Sequence, residues 1–190
     1  MKLILGSSSK YRKDILEKAG YVFDVLAPDI DEKLIKTNDP YERPLILAHA
    51  KADALVARVK EPAFVIALDQ VVVYEGKLYE KPIDEKEARI FFDHYNTGGV
   101  PESICAVVVV NTRTGKRYNG VDKVKIFFKH IPNTVIENFI KKNQPLTRAG
   151  GFGIQDTVLE PYVKKIEGTE DSVAGMPIHL LKKLLTEAGY

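Results

Sequence analysis

Residues 5–16, LGSSSKYRKDIL, join a short apolar run to a basic, helix-like segment through three consecutive serines. The pattern predicts a buried strand over residues 2–5, a turn over residues 7–9 and a helix over residues 11–19 that Gly20 ends. A strand that passes through small hydroxyl residues into a helix offers unpaired backbone N–H groups and the positive end of the helix dipole. Both features attract anions, so the stretch predicts a strand, turn and helix unit that can hold a phosphate group.

Arg12 stands in the first turn of this predicted helix and can add a bidentate phosphate contact. The alternative is that Ser9 only caps the helix while Arg12 and Lys13 are solvated. The stretch lacks the Gly-Lys-Ser/Thr of a P-loop, which disfavours P-loop hydrolysis. From the local sequence alone, phosphate binding and simple capping both stay open.

The remainder of the chain continues as strands and helices. Strands are predicted in residues 21–28, in residues 63–82 with a hairpin tip at Glu75 and Gly76, and in residues 103–131 around a Thr-Gly turn. Helices are predicted in residues 41–59, 85–95, 133–142 and 176–189, and a loop in residues 143–157. Strands in the middle and helices throughout indicate an α/β or α+β domain.

Composition is that of an ordinary globular protein. The chain has 190 residues, 45% of them hydrophobic and 28% charged, which predicts a single domain over residues 1–190, either with one core or as one fold split into two lobes. The formal net charge of +2 is far from the cationic field that binding of extended nucleic acid usually requires. A small anionic ligand is compatible with this charge.

The cysteine content and the apolar runs of the sequence indicate in which cellular compartment the protein is expected. The single cysteine, Cys105, cannot form an internal disulfide, which suggests a reducing environment. The apolar run after Lys2 is too short for a signal peptide, and no stretch approaches the ~20 apolar residues of a membrane span. We therefore expect a soluble cytoplasmic protein that has no membrane partner.

Asp69 and Gln70 come directly after the apolar letters of FVIALDQ, residues 64–70. The pattern predicts them at a strand end, where α/β folds commonly place ligand-binding groups. A carboxylate there can hold a hard cation or take a proton from water. The alternative is an aspartate that only caps a turn.

Three more charged residues belong to this candidate site: Glu32 in PDIDE, Lys51 in AHAKAD and Lys81 in YEKP. Each of them alone is typical of a solvated surface charge. Together with Arg12 and Asp69 they form the mixture of carboxylates and cations that Mg²⁺-assisted attack on a polyphosphate needs. Negative charge must be neutralised before water can approach phosphorus.

Other chemistries are less well supported. The four histidines are far apart in the sequence and show no metal-binding spacing. Cys105 lies in the apolar run SICAVVVV, which favours a core side chain over a nucleophile. Residues 149–155, AGGFGIQ, are rich in glycine but do not match the dinucleotide-binding pattern, so we expect a mobile substrate loop there.

In order and spacing, six stretches resemble the Maf family of nucleoside triphosphate pyrophosphatases over nearly the whole chain. They are LGSSSKYRKDIL, APDIDE, LAHAKADAL, IALDQVVVYEGKLYEKP, AGGFGIQ and IEGTEDSVAGMPIHLL. The resemblance implies a Maf/inosine-triphosphatase-like α/β fold, with a central mixed sheet flanked by helices and two lobes that enclose a cleft. It also implies hydrolysis of a nucleoside triphosphate to the monophosphate and pyrophosphate with a divalent cation, Mg²⁺ or Mn²⁺.

The same resemblance implies catalytic roles for four residues at matching positions. Lys51 and Lys81 would neutralise the polyphosphate, and Glu32 and Asp69 would bind the metal. Asp69 would also accept a proton from the water that attacks the α-phosphorus. The family further suggests a homodimer.

Ser7 and Arg12 would hold phosphate by the same resemblance, and three residues bear on the choice of base. Tyr11 and Gln70 match the branch resembling 7-methyl-GTP pyrophosphatases, and an aromatic ring can stack on the cationic 7-methylguanine. Gln155 matches the dTTP/UTP branch, because a carboxamide suits the N3–H and carbonyl of uracil or thymine. Two positions outnumber one, so 7-methyl-GTP is the first expected substrate and dTTP/UTP the alternative.

Two other classes of function stay open. A non-hydrolytic nucleotide-binding regulator linked to cell division would be indicated by loss of Asp69 or Glu32, and both are present. An interaction module would bind no nucleotide and would gain no thermal stability from Mg²⁺ and a triphosphate. Two residues depart from the family pattern. Arg148 stands where the dTTP/UTP branch commonly has lysine, and Lys10 stands where the family usually has proline.

Overall fold

The structure, a computed structural model, describes residues 1–142 and 144–190. These residues group into two compact units. Unit 1 comprises residues 1–70, 105–122 and 174–190, and unit 2 comprises residues 71–104 and 123–173. Segments that are distant in sequence therefore build each unit.

Strands and helices follow the predicted order. In the described residues the strands are β1 (Lys2–Gly6), β2 (Asp24–Val25), β3 (Ala63–Tyr74), β4 (Lys77–Leu78), β5 (Glu102–Asn111), β6 (Arg117–Phe128) and β7 (Val163–Glu167). The α-helices are α1 (Lys10–Lys18), α2 (Arg43–Val56), α3 (Glu85–Asn96), α4 (Asn133–Lys141), α5 (Glu170–Val173) and α6 (Ile178–Ala188). The predicted loop 143–157 begins at Asn143, which lies outside the described residues.

The seven strands of the described residues form one mixed sheet. Its order is β2-β1-β3-β5-β6-β7, and β4 pairs with β3. β1 runs parallel to β2 and to β3, whereas β4 is antiparallel to β3 and β7 is antiparallel to β6. A mixed central sheet in an α/β chain is confirmed.

Unit 1 packs helices against both faces of its strands, because side chains alternate between the faces along β1, β3 and β5. One face shares a core with α1 and α6, and the other shares a core with α2. The first core includes Leu5, Ile66, Val107, Leu16 and Leu184. The second includes Ile4, Val65, Val108, Ala48 and Leu55. Consecutive residues of β3 therefore face different helices.

Unit 2 has its own core, which is rich in aromatic side chains. Phe92 of α3 and Phe139 of α4 meet edge to face, with ring centroids 6.0 Å apart. Tyr95 of α3 meets Phe152 in the same way at 5.6 Å. Phe152 belongs to residues 149–155, so this packing anchors the glycine-rich loop to α3.

None of the helices in the described part of the chain combines the length and the apolar composition that a membrane crossing requires. Cys105 is buried in the core of unit 1 that lies between the sheet and helices α1 and α6. This confirms the prediction of a core side chain.

Two predictions about strands are wrong. The alternating pattern of residues 21–28 predicts a longer strand than β2, which pairs with β1 only over Asp24–Val25. Asp69 and Gln70 do not follow the end of their strand, because β3 continues to Tyr74. The three valines after Gln70 are buried, so the extended backbone continues through the polar pair.

Candidate active site

In the serine-rich turn between β1 and α1, the hydroxyl group of Ser7 is the shared hydrogen-bond acceptor. Ser7 is 5% exposed. Its Oγ accepts a hydrogen bond from the backbone N–H of Ser9 at 3.2 Å and another from Arg12 Nη1 at 3.4 Å. Ser9 stands at the N-cap of α1, but its side chain accepts no capping hydrogen bond in the described structure. The turn therefore brings Ser7 and Arg12 together, and simple capping by Ser9 does not describe it.

Asp69 faces α2 because side chains of β3 alternate with a period of two. It follows Ala67, which packs in the core shared with α2. Lys51 lies on the same face of α2 as Ala48 and Leu55, its neighbours at i−3 and i+4. The two periodicities therefore direct a carboxylate and an ammonium group toward each other.

Lys51 joins two carboxylates. Its Nζ lies 2.5 Å from Asp69 Oδ1 and 2.8 Å from Glu32 Oε1. Lys51 and Asp69 are 7% and 6% exposed, whereas the Glu32 side chain is 49% exposed. Glu32 begins a one-turn 3₁₀ helix, Glu32–Leu34. The structure thus brings together three of the four residues for which the sequence predicts a catalytic role.

Burial is the largest influence on the Asp69 carboxyl group, and it raises the pKa. The Lys51 ammonium lowers this pKa through its charge and its hydrogen bond, Glu32 raises it further and Arg12 lowers it. The net direction is upward from the ordinary aspartate value. A carboxylate with a raised pKa binds a proton more tightly, which suits a general base.

Glu32 and Asp69 also fit the divalent cation expected from the sequence. Both offer hard carboxylate oxygens, and both approach the same Lys51 nitrogen. Mg²⁺ is usually bound through one or two carboxylates together with substrate phosphates. Across the described residues, no set of three or more histidine, cysteine, aspartate or glutamate side chains is grouped to hold a metal. Two carboxylates next to a bound polyphosphate are the donor set that this site can offer.

Asp69 and Gln70 lie beyond the carboxyl end of β1, the strand that precedes the serine-rich turn. The parallel pairing of β1 with β3 ends at Gly6 opposite Ala67. The sequence predicts a strand end beside Asp69 and Gln70. The strand that ends there is β1, the neighbour of β3, and not β3 itself. Gln70 is half-buried on the face opposite Asp69. Tyr11 of α1 is 54% exposed, so its ring is accessible for stacking.

Lys81 and Gln155 belong to unit 2, and both are exposed. Gly150 connects the two segments that carry them. Its N–H donates to the carbonyl oxygens of Tyr79 at 2.8 Å and Glu80 at 3.2 Å. The residues just before Lys81 are therefore hydrogen-bonded to the glycine-rich loop, and the roles of Lys81 and Gln155 stay predictions.

Two supports of the glycine-rich loop received no role from the sequence. Tyr95 donates its hydroxyl hydrogen to the carbonyl oxygen of Gly150 at 2.8 Å. Arg148 donates from Nη1 to Asp156 Oδ2 at 3.2 Å and from Nη2 to Gln144 Oε1, also at 3.2 Å. Nothing in the sequence around a tyrosine of an amphipathic helix indicates that its hydroxyl group bonds to a distant carbonyl oxygen. Arg148 was visible only as a departure from the family pattern.

Comparison with known proteins identifies the family to which the chain belongs. The family model described as Maf-like protein matches residues 2–188. The chain is 36% identical over 192 aligned residues to a 7-methyl-GTP pyrophosphatase of Dictyostelium discoideum, covering 97% of this chain and 96% of that protein. It is 33% identical over 190 residues to a dTTP/UTP pyrophosphatase of Carboxydothermus hydrogenoformans, covering 100% of both proteins.

A solved structure, that of a HAM1 protein from Coxiella burnetii, has a similar fold. The TM-score is 0.52 at 11% identity, and the match covers 98% of this chain and 99% of that one. At this identity the likeness concerns the fold alone. Since the family model spans residues 2–188 and both relatives align over almost the whole chain, this protein belongs to the Maf-like protein family.

Proposed function

We propose that this protein hydrolyses a nucleoside triphosphate to the nucleoside monophosphate and pyrophosphate, with Mg²⁺ or Mn²⁺ as the cofactor. The observation that carries the proposal is the buried pair of Lys51 and Asp69 with Glu32 on the same ammonium group. Ser7 and Arg12, in the same unit, add a hydroxyl and a guanidinium group at the turn after β1. Relatives named as pyrophosphatases support this reaction class.

Asp69 is the proton acceptor in the proposed reaction. A water oxygen attacks the α-phosphorus while Asp69 takes one of its protons, and the bond from that phosphorus to the bridging oxygen breaks. Pyrophosphate leaves with the bridging oxygen, so no covalent intermediate forms. Lys51 holds the Asp69 carboxylate and offsets negative charge of the polyphosphate. Glu32 and Asp69 would hold the divalent cation, which would supply positive charge against the phosphate oxygens.

For the base, we propose 7-methyl-GTP as the preferred substrate and dTTP or UTP as the second candidate. The exposed Tyr11 ring can stack on a cationic purine, which supports the first. Gln155 supports the second, because its carboxamide complements the N3–H and carbonyl of a pyrimidine. Both kinds of pyrophosphatase occur among the relatives.

A pyrophosphate-release screen tests the proposal. Purified protein with Mg²⁺ or Mn²⁺ is assayed on 7-methyl-GTP, UTP, dTTP and the other canonical triphosphates, and kcat/KM is compared. A lead of about tenfold for 7-methyl-GTP corresponds to about 1.4 kcal/mol of discrimination in the transition state and supports the first substrate. A lead for UTP or dTTP supports the second. If no triphosphate is cleaved, the alternative of a non-hydrolytic nucleotide-binding regulator replaces the proposed function.

We further propose that residues 1–190 act as one domain, since the family match runs through both units. The homodimer and the cytoplasmic location stay predictions from the sequence. We also propose a role in removing modified nucleotides, which would follow if 7-methyl-GTP is the preferred substrate. Light scattering of the purified protein measures its mass in solution and tests the homodimer directly.

A further inference from the structure

The segment before α6 packs against two residues of the candidate site. Gly175 is buried, and it belongs to unit 1 together with Gln70 and Arg12. A Cβ atom at this position would lie 2.4 Å from Gln70 Oε1 and 3.1 Å from Arg12 Nη2. The first distance is shorter than any van der Waals contact, so a side chain at residue 175 must displace the Gln70 amide.

The atoms in this contact belong to the ends of flexible side chains. The Gln70 amide and the Arg12 guanidinium can move without a change in the backbone of β3 or α1. A small residue at position 175 would therefore shift the functional groups while leaving the core intact. The stretch IEGTEDSVAGMPIHLL, which contains Gly175, received no role from the sequence beyond its place in the family pattern.

We propose that Gly175 is a positioning residue that sets the place of the Gln70 amide beside the Arg12 guanidinium, and through Gln70 sets the preference for the nucleobase. This inference rests on the proposed function for the identity of the ligand. The absence of a side chain at residue 175 leaves the space that the Gln70 amide occupies. Any substitution that fills this space should change selectivity among bases more than it changes turnover of a given base.

Backbone strain needs its own control, because Gly175 has a φ of +80°. Such a conformation disfavours any residue with a Cβ atom, whatever the surrounding space. Gly189 provides the match: its φ is +82°, and a Cβ there would meet no atom within 4 Å. Gly175→Ala and Gly189→Ala therefore both place a Cβ atom on a backbone with positive φ, and only the first brings that atom against Gln70 and Arg12.

The experiment compares wild type, Gly175→Ala, Gly189→Ala, Gln70→Ala and the double variant Gly175→Ala/Gln70→Ala. The first readout is kcat/KM for 7-methyl-GTP and for UTP. We expect Gly175→Ala to change the ratio of these two values by about fivefold or more, and Gly189→Ala to leave the ratio unchanged. In the Gln70→Ala background, adding Gly175→Ala should change the ratio less than twofold, because the displaced amide is gone.

The second readout does not depend on turnover. The side-chain amide resonances of Gln70 are identified in a ¹H–¹⁵N correlation spectrum by their loss in Gln70→Ala. They should shift in Gly175→Ala and stay in place in Gly189→Ala. Equal spectra for the two glycine variants, or an unchanged base ratio in Gly175→Ala, overturn the inference.

Failure of the inference and failure of the proposed function give different results. If wild type releases no pyrophosphate, the proposed function fails, and the spectra together with the dissociation constants of 7-methyl-GTP and UTP still test Gly175. If Gly175→Ala does not fold, the double variant decides. A folded double variant supports the contact with Gln70, whereas an unfolded one assigns the damage to the backbone and overturns the inference.

Discussion

Replacing Lys51 with methionine should destabilise the protein far more than loss of a surface charge. Methionine fills a similar volume but leaves the Asp69 carboxylate buried without the ammonium group that lies 2.5 Å from it. Removing one partner of a buried ion pair costs about 3–5 kcal/mol, because the other charge is left without compensation. For a chain of this size each kcal/mol lowers the unfolding temperature by about 2–4 °C, so we expect a decrease of roughly 6–20 °C at neutral pH.

The pH dependence of this loss identifies its cause. Burial already raises the pKa of Asp69, and loss of Lys51 removes the main influence that lowers it. When the folded pKa of an acid exceeds its unfolded value, the folded state binds more protons, so stability falls as the pH rises through the folded pKa. The deficit of Lys51→Met should therefore be smaller at about pH 5 than at about pH 8.

Thermal unfolding followed by circular dichroism in metal-free buffer measures these effects. Asp53→Asn is the matched control, because Asp53 lies on the same helix and pairs with Arg117 at an exposed position. It should cost less than about 1 kcal/mol. The double variant Lys51→Met/Asp69→Asn removes both charges and should recover much of the lost stability. A Lys51→Met variant with wild-type stability at both pH values would refute the buried pair.

Three further variants test the roles of Asp69, Glu32 and Tyr95. Asp69→Asn should lower kcat by about 10²–10⁴-fold, as loss of a general base does. It should cost less stability than Lys51→Met, because the Lys51 ammonium keeps Glu32 as a partner; near-normal kcat would reject Asp69 as the base. Glu32→Gln should raise the Mg²⁺ concentration for half-maximal rate about tenfold, because a charged oxygen ligand is lost; an unchanged metal titration argues against Glu32 as a ligand. Tyr95→Phe removes the donor to the Gly150 carbonyl and should cost about 1–3 kcal/mol of stability in thermal unfolding, and no measurable cost would contradict that hydrogen bond.

Local periodicity was enough to predict most elements of the fold. The apolar repeat in residues 41–59 predicts α2, observed as Arg43–Val56. Lys51, which alone is typical of a solvated surface charge, lies on the buried face of this helix. The serine-rich turn and α1 were also predicted from local patterns, although the Ser9 side chain makes no capping hydrogen bond in the described structure. These signals are readable because they depend on neighbours within one or two turns of chain.

The residues at which strands end were harder to predict, because pairing with a strand that is distant in sequence determines them. The polar pair Asp69 and Gln70 looks like a strand end in the sequence, yet β3 continues to Tyr74. What ends beside the pair is β1, more than sixty residues earlier in the chain. No local pattern reports where a parallel neighbour stops.

In the candidate site, too, the residues could be predicted from local sequence, but the contacts between distant residues could not. Residue type and family pattern were enough to select Glu32, Lys51 and Asp69. They did not reveal that one ammonium group contacts both carboxylates, because that contact depends on the alternation of β3 and the face of α2 acting together. The supporting bond from Tyr95 to Gly150 joins residues far apart in the chain and left no trace in the sequence.

The most direct test of the central claim is hydrolysis in water enriched in oxygen-18, with mass analysis of both products. Attack on the α-phosphorus places the label in the nucleoside monophosphate and leaves the pyrophosphate unlabelled. We expect this pattern for wild type with Mg²⁺ or Mn²⁺, and product formation about 10²–10⁴-fold slower with Asp69→Asn. Label in the pyrophosphate, or release of single inorganic phosphate instead of pyrophosphate, would contradict it.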